Sequence, residues 1–174
     1  CNLTSLEGLK GLSKLEGIDV GGNPLKNLNG IEDSKNTLKN LYATNCVDSS
    51  IEITEDESMD EEAAEAEQKK QRTLVDASAL EGFTKLETVD LSSNMLTGID
   101  FLASLESLTS VTLTGNEIAS VPASLKKLTK LTSFSAANNK ITAIAGLKEA
   151  TALTTLTLDD NKLTSLDGVG KLTK

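Results

Sequence analysis

Histidine and tryptophan are absent from this 174-residue chain, and its aromatic residues are three Phe and one Tyr. Without histidine there is no Ser-His-Asp triad, no Cys-His dyad, no imidazole base and no His-ligated metal. With so few rings, a core has to be assembled from Leu, Ile, Val and Ala. The two cysteines, Cys1 and Cys46, stand too far apart for a Cys-x-x-Cys site. No apolar run approaches the roughly 18 residues of a membrane span, and no signal-peptide core is visible. Basic charge is also short: 17 Lys and Arg face 26 Asp and Glu, a formal net charge of −9. Phosphate backbones and anionic membrane surfaces are repelled by that balance, so neither nucleic acid nor membrane insertion is expected. Carboxylates are plentiful, yet none pairs with another on a rigid element that the pattern predicts. Neither an enzyme nor a cofactor or metal is therefore expected.

What the chain does contain is a repeat. The pattern L-x-x-L-x-L-x-x-N-x-L-x-x-L aligns six copies in one register. One copy is Leu15, Ile18, Val20, Asn23, Leu25 and Leu28; another is Leu108, Val111, Leu113, Asn116, Ile118 and Val121. Further copies begin at Leu38, Leu86, Leu131 and Leu153, and Cys1, Leu3, Leu6 and Leu9 read as the back half of a seventh. The Asn or Cys positions are Cys1, Asn23, Cys46, Asn94, Asn116, Asn139 and Asn161, spaced by 22, 23, 48, 22, 23 and 22 residues.

The pattern has a mechanical basis. Alternate apolar residues before each Asn read as a short strand with one face inward. One copy cannot cover its own apolar face, so copies must stack and share a core. The Asn falls where the chain turns inward, and its amide both donates and accepts, so it can satisfy backbone groups of adjacent turns. Cysteine at 1 and 46 is a small, readily buried substitute, expected to be reduced and structural, which favours an intracellular setting. Seven turns stacked at about 4.8 Å predict a parallel sheet roughly 30–35 Å long. The return segments carry apolar residues three apart, as in Leu102, Leu105 and Leu108, which fits a short helix or 3-10 turn. Pro122 ahead of Ala123–Lys127 fits the first turn of one.

This register resembles the leucine-rich repeat family. The phrase Asn139-Lys140-Ile141-Thr142-Ala143-Ile144-Ala145-Gly146-Leu147 is similar to the SDS22-like 22-residue class, which bacterial internalins share. Asn23 to Ile31 and Asn161 to Val169 repeat it, while Asn116 to Leu131 leans toward a 23-residue form. The resemblance implies an α/β right-handed solenoid of six to seven repeats, with a parallel concave sheet and a helical or 3-10 convex side. It also implies that the concave sheet recognises a protein partner.

On that face the pattern places Asp19, Tyr42, Thr88, Asp90, Thr112, Thr114, Ser133, Ser135, Thr155, Thr157 and Asp159 as partner-binding candidates. Gly17, Gly21, Asn40, Thr44, Ser92, Ser110 and Ala137 share it. The face is small and hydroxyl-rich, and Tyr42 is its only aromatic. SDS22-like proteins that regulate a phosphatase use large acidic and aromatic residues there, so that partner is not carried over.

The 48-residue gap holds one period plus an acidic segment. Three regions are expected: repeats over 1–51, an insertion over 52–73 and repeats over 74–174. The insertion carries nine acidic and three basic residues, or −6 of the −9. A solvated helix over 57–72 is one reading, with Ser58 and Glu61 as a capping box and Lys69, Lys70 and Arg72 at the end. Disorder is the other, because no apolar face is present. Ser49, Thr54 and Ser58 each have Glu three residues on and are candidate phosphorylation sites. Asp56, Ser58, Asp60 and Glu67 match calcium-loop positions 1, 3, 5 and 12, but Glu61 occupies the position that needs Gly.

Gly168-Val169-Gly170-Lys171 lacks the first Gly and the Ser or Thr of a phosphate loop, and it reads as a repeat tail. Both ends of the chain fall inside a repeat without a polar cap, which suggests a longer protein, a covering partner or self-association. The leading expectation is an intracellular, cytoplasmic or nuclear, interaction scaffold. The alternatives are a surface or secreted internalin-like adhesion module, with Cys1 as a lipidated residue or Asn2-Leu3-Thr4 as a glycosylation sequon, and recognition of an ordered lattice by Thr columns.

Overall fold

The computed structural model describes residues 1–54, 56 and 58–167; the Gly168–Lys171 motif and the final repeat tail lie outside them. Six strands of three residues form one parallel sheet in sequential order: β1 Gly17–Asp19, β2 Asn40–Tyr42, β3 Thr88–Asp90, β4 Ser110–Thr112, β5 Ser133–Ser135 and β6 Thr155–Thr157. The register sets Ile18, Leu41, Val89, Val111, Phe134 and Leu156 in a single row. That row points into the core, and its four central members are fully buried. The seventh, partial copy at the start contributes no strand.

Each strand ends in a turn the sequence pattern did not announce. The residue before every ladder position after the first adopts a positive φ: Gly22 at 67°, Asn45 at 48°, Ser93 at 57°, Gly115 at 72°, Asn138 at 52° and Asp160 at 52°. Four of the six are Gly or Asn, the residues that enter this region most cheaply. One left-handed residue reverses the chain's pleat and aims the following Asn inward.

The ladder is what makes the coils stack. Asn116 is almost wholly buried. Its Oδ1 accepts the N–H of Leu96 in the preceding coil at 3.0 Å. Its Nδ2 donates to Leu91 O of that coil at 2.9 Å and to Leu113 O of its own coil at 3.0 Å. Asn139 repeats the arrangement with Ile118, Leu113 and Ala136, and Asn161 with Ile141, Ala136 and Leu158. Among the described residues no buried side-chain polar atom lacks a partner. Cys46 fills its slot as expected, buried and with Sγ 3.5 Å from Ala43 O. Cys1 does not. It keeps the register, since Leu3 N–H donates to Asn23 Oδ1 at 3.1 Å, but it is exposed at the open end of the stack.

The convex returns are 3-10 turns, at Glu7–Leu9, Glu32–Ser34, Ser78–Leu80, Asp100–Ser104, Ala123–Lys127 and Ala145–Leu147. The apolar spacing of three explains the choice, because residues i and i+3 eclipse in a 3-10 turn and face the core together. Leu102 N–H donates to Ile99 O, Leu105 to Leu102 and Leu108 to Leu105, at 2.9–3.1 Å, and all four side chains are buried. Pro122 stands at the cap of its turn, one place ahead of the first-turn position expected for it, with its carbonyl accepting Leu125 N–H at 3.1 Å. The Gly of the recurring phrase has a steric cause. A Cβ at Gly146 would lie 2.1 Å from Pro122 O, and one at Gly30 2.4 Å from the backbone of Leu6. Coils touch backbone to backbone there.

A second ladder runs along the other strand edge. Thr109, Thr132 and Thr154 hydroxyls donate to the carbonyls of Glu87, Thr109 and Thr132, one coil earlier, at 2.9–3.1 Å. These bonds are exposed and add less than the buried amides.

Asn116→Ala strips three hydrogen bonds from two coils and leaves their backbone groups buried. It is expected to cost about 3 kcal/mol in chemical denaturation, against about 1 kcal/mol for half-buried Asn161→Ala.

Candidate functional site

The register sorts the concave residues into columns that cross the strands. One column is Gly17, Asn40, Thr88, Ser110, Ser133 and Thr155; the next is Asp19, Tyr42, Asp90, Thr112, Ser135 and Thr157. Gly21, Thr44, Ser92, Thr114, Ala137 and Asp159 continue past the strand ends, where the carbonyls of the last five accept the N–H of the left-handed residue in the preceding coil. All eleven residues expected on the concave face therefore share one surface. Asp19, Tyr42, Thr155 and Asp159 are exposed, and the other seven are half-buried.

The columns differ along their length. Toward β1, Tyr42 stands between Asp19 and Asp90, with 39% of its surface exposed. Asp90 Oδ1 accepts the Ser92 N–H at 3.0 Å and its hydroxyl at 2.6 Å. Asp19 Oδ1 accepts Gly21 N–H at 3.0 Å. Toward β6 the face is a field of hydroxyls, in which Thr114 and Ser135 lie 3.1 Å apart. No Lys or Arg stands in any column.

The acidic segment leaves the stack at the ladder turn. Thr73 N–H donates to Cys46 O at 2.8 Å, and Val47 and Arg72 form an antiparallel bridge that closes the neck. The Thr73 hydroxyl ties the returning chain to Leu25 O at 2.8 Å. The solenoid passes over the excursion: β2 pairs with β3, and Cys46 N–H donates to Asn94 Oδ1 at 3.0 Å across 48 positions.

Within the segment lies one α-helix, α1, Glu61–Lys69. It is shorter than the 57–72 expected, and the Ser58–Glu61 capping box is absent. Asp60 caps it instead, accepting Ala63 N–H at 2.9 Å. Ser58 is held in the preceding turn, its N–H on Asp56 Oδ1 at 2.8 Å. Asp60 and Glu67 are thereby committed elsewhere than to a calcium loop, since Glu67 takes Lys70 and the Thr54 N–H at 3.2 Å. Ser49, Thr54 and Ser58 are all exposed.

The helix buries no residue, yet it is docked by polar contacts. Arg72 Nη1 donates to Gly115 O at 2.9 Å, at the left-handed turn of the β4 coil. Lys69 Nζ lies 3.3 Å from Glu117 and 3.1 Å from Glu65, and Lys140 pairs with Glu117 from the other side. Burial opposes ionisation of Glu117, but hydrogen bonds from Lys140 and Lys69 outweigh it and hold its carboxyl below the usual 4.5. Between α1 and the sheet edge runs a groove lined by Glu61, Glu65, Gln68, Ser93, Thr114 and Asn138. The reading of a helix with nothing to dock missed Arg72, Lys69 and Glu117. The available signal was Glu117 itself, which directly follows a ladder Asn in the register that Lys140 and Lys162 share.

Residues 84–127 match the family model for leucine-rich repeats, in two copies. Internalin C2 of Listeria monocytogenes superposes with a TM-score of 0.65 at 23% identity, over 99% of this chain and 74% of that one. A second Listeria monocytogenes internalin, inlF, gives 0.55 at 22% identity, over 99% of this chain and 56% of that one. A leucine-rich repeat protein of Leptospira interrogans gives 0.64 at 21% identity, over 98% of this chain and 44% of that one. No curated protein matches the chain in sequence. The fold is a leucine-rich repeat solenoid.

Two chemical consequences follow for this leucine-rich repeat solenoid. Burial pushes the Cys46 thiol up to about 11, so it stays protonated and shielded at neutral pH. Dithionitrobenzoate should therefore titrate Cys1 alone in the native protein and both thiols in denaturant. For Glu117 the lowered folded value means that its contribution to docking is present above the ordinary glutamate range and is lost as pH falls through the folded value. Alanine carbon shifts at Ala63, Ala64 and Ala66 should thus move toward coil values as the pH falls below the ordinary glutamate range, with Glu117→Gln showing the loosened state at neutral pH.

Proposed function

We propose that this solenoid binds a protein partner on its concave sheet, as an interaction scaffold. The observation that carries the reading is the face itself. Six coils present an open row of exposed and half-buried polar side chains around one exposed aromatic, on a backbone tied coil to coil by the ladder. Such a surface is preorganised, so binding orders little more than the partner. We further place the chain with the SDS22-like and internalin-like 22-residue class, on the strength of the Asn139–Leu147 phrase and its close-approach glycine. The acidic segment between the repeat regions 1–51 and 74–174 serves in this reading as a regulatory arm beside the site. Phosphate on Ser49, Thr54 or Ser58 would deepen its charge. An intracellular setting is supported by two unpaired thiols.

A second reading, a surface-exposed recognition module, is favoured by the likeness to two internalins over nearly the whole chain. Surface biotinylation of the source cells separates the two settings, since only a displayed protein is labelled without lysis.

Panning of a displayed random peptide library tests the binding face. Clones enriched by the wild-type protein should drop at least about tenfold on a Tyr42→Ala, Thr112→Arg, Thr157→Arg variant and persist on a convex variant, Glu106→Arg with Ser124→Arg. Equal recovery on the concave variant would remove the concave sheet as the site.

A further inference from the structure

We infer that the segment bound on the concave face is cationic and extended, and that Tyr42, set between Asp19 and Asp90, seats one of its guanidinium or ammonium groups. This rests on the concave face being the binding surface and adds the chemistry of what it takes.

The register places the three side chains on adjacent strands, about 4.8 Å apart along the column. Tyr42 is the exposed ring of that column, and Gly17 and Gly21 on the β1 side add no side chain to crowd it. An aromatic face flanked by two carboxylates attracts a cation through both its quadrupole and their charge. The carboxylates are also positioned. Each anchors one oxygen on its own turn, Asp19 on Gly21 N–H and Asp90 on Ser92, while neither Oδ2 has a hydrogen-bond partner among the described residues. The lone pairs left over need a donor, and no Lys or Arg in the columns supplies one.

Cations beside this face are spent, and Lys39, which directly precedes β2, is paired with Glu16 at 3.0 Å. Arg72 is held by Gly115 O, and Lys69 by Glu117 and Glu65. Meanwhile α1 brings Glu61 and Glu65 to the groove at the strand ends, beside Ser93 and Thr114. Negative charge therefore lines the floor at Asp19 and Asp90, and Glu61 and Glu65 stand on a second wall, where Arg72 and Lys69 partly offset them. An anionic ligand would meet repulsion at the floor. Asp19 and Asp90 are two strand spacings apart, about 10 Å, which matches about three residues of extended chain. The complementary segment carries two basic residues about three positions apart, one of them leaning on the Tyr42 ring between the carboxylates.

The probe is a fluorescent peptide of about four Arg-Ser-Ser units, followed by anisotropy, with Glu-Ser-Ser and Gln-Ser-Ser peptides of equal length beside it. Only the arginine peptide should bind, weakening at least about tenfold between roughly 0.05 and 0.3 M salt. Asp19→Asn with Asp90→Asn should weaken it about tenfold, and Tyr42→Ala by about fivefold or more. Glu81→Gln with Glu106→Gln removes the same charge from exposed positions on the convex side and should leave binding unchanged. Circular dichroism confirms that each variant keeps its fold. The inference is overturned if the arginine peptide does not bind, or if the convex pair weakens it as much as the concave pair, which would reduce the effect to bulk charge. Concave-dependent library clones without basic residues would also sink it while leaving the concave face as the binding surface.

Discussion

A three-residue strand followed by an inward turn leaves peptide groups inside an apolar stack, far from water. The asparagine amide meets that cost. It is the side chain that can accept an N–H from the coil before it and donate to carbonyls of both coils at once. Strand register, the left-handed residue ahead of each Asn and the inward row from Ile18 to Leu156 all depend on that exchange. The leucines supply most of the burial, but burial is non-directional and would tolerate a slipped stack. The amide ladder selects one register, and with it the columns that face outward on the other side of the same strands.

The excursion after Cys46 shows how local this logic is. Chain can leave at a ladder turn and return at Thr73 because the ladder needs only neighbouring coils, not neighbouring sequence. Closing a longer loop adds little entropy, since the cost grows only with the logarithm of length. The exit point has a functional side. Ladder turns lie at the ends of the strands, so whatever is inserted there emerges on the rim of the concave face. An acidic helix placed at that rim becomes one wall of a groove beside the strand ends. Its attachment is polar throughout, through Arg72 and the Lys69–Glu117–Lys140 chain, so it can be loosened without disturbing the core.

Much of this was legible from spacing alone. The intervals between Asn23, Asn94, Asn116, Asn139 and Asn161 defined the coils, and alternation around each strand named the concave residues. The three-residue apolar spacing indicated the returns, and 3-10 geometry is the period that satisfies it. Other features were not legible. Ser93, Asn138 and Asp160 give no hint of a common backbone state until the turn that requires it is seen. Asp60 displaced Ser58 as cap because the Asp56 turn had already claimed the Ser58 backbone. Cys1 matched the ladder in register yet is exposed, and register says nothing about burial.

Periodicity by itself determined the solenoid, its sheet order and the residues of its two faces, because each of these repeats from coil to coil and depends on the sequence nearby. Only the tertiary structure decided which coil the insertion touches, that Arg72 reaches Gly115 O, and that Lys69 joins Lys140 at Glu117. Those contacts join residues from different coils, tens of positions apart, and no local pattern encodes the distance between them.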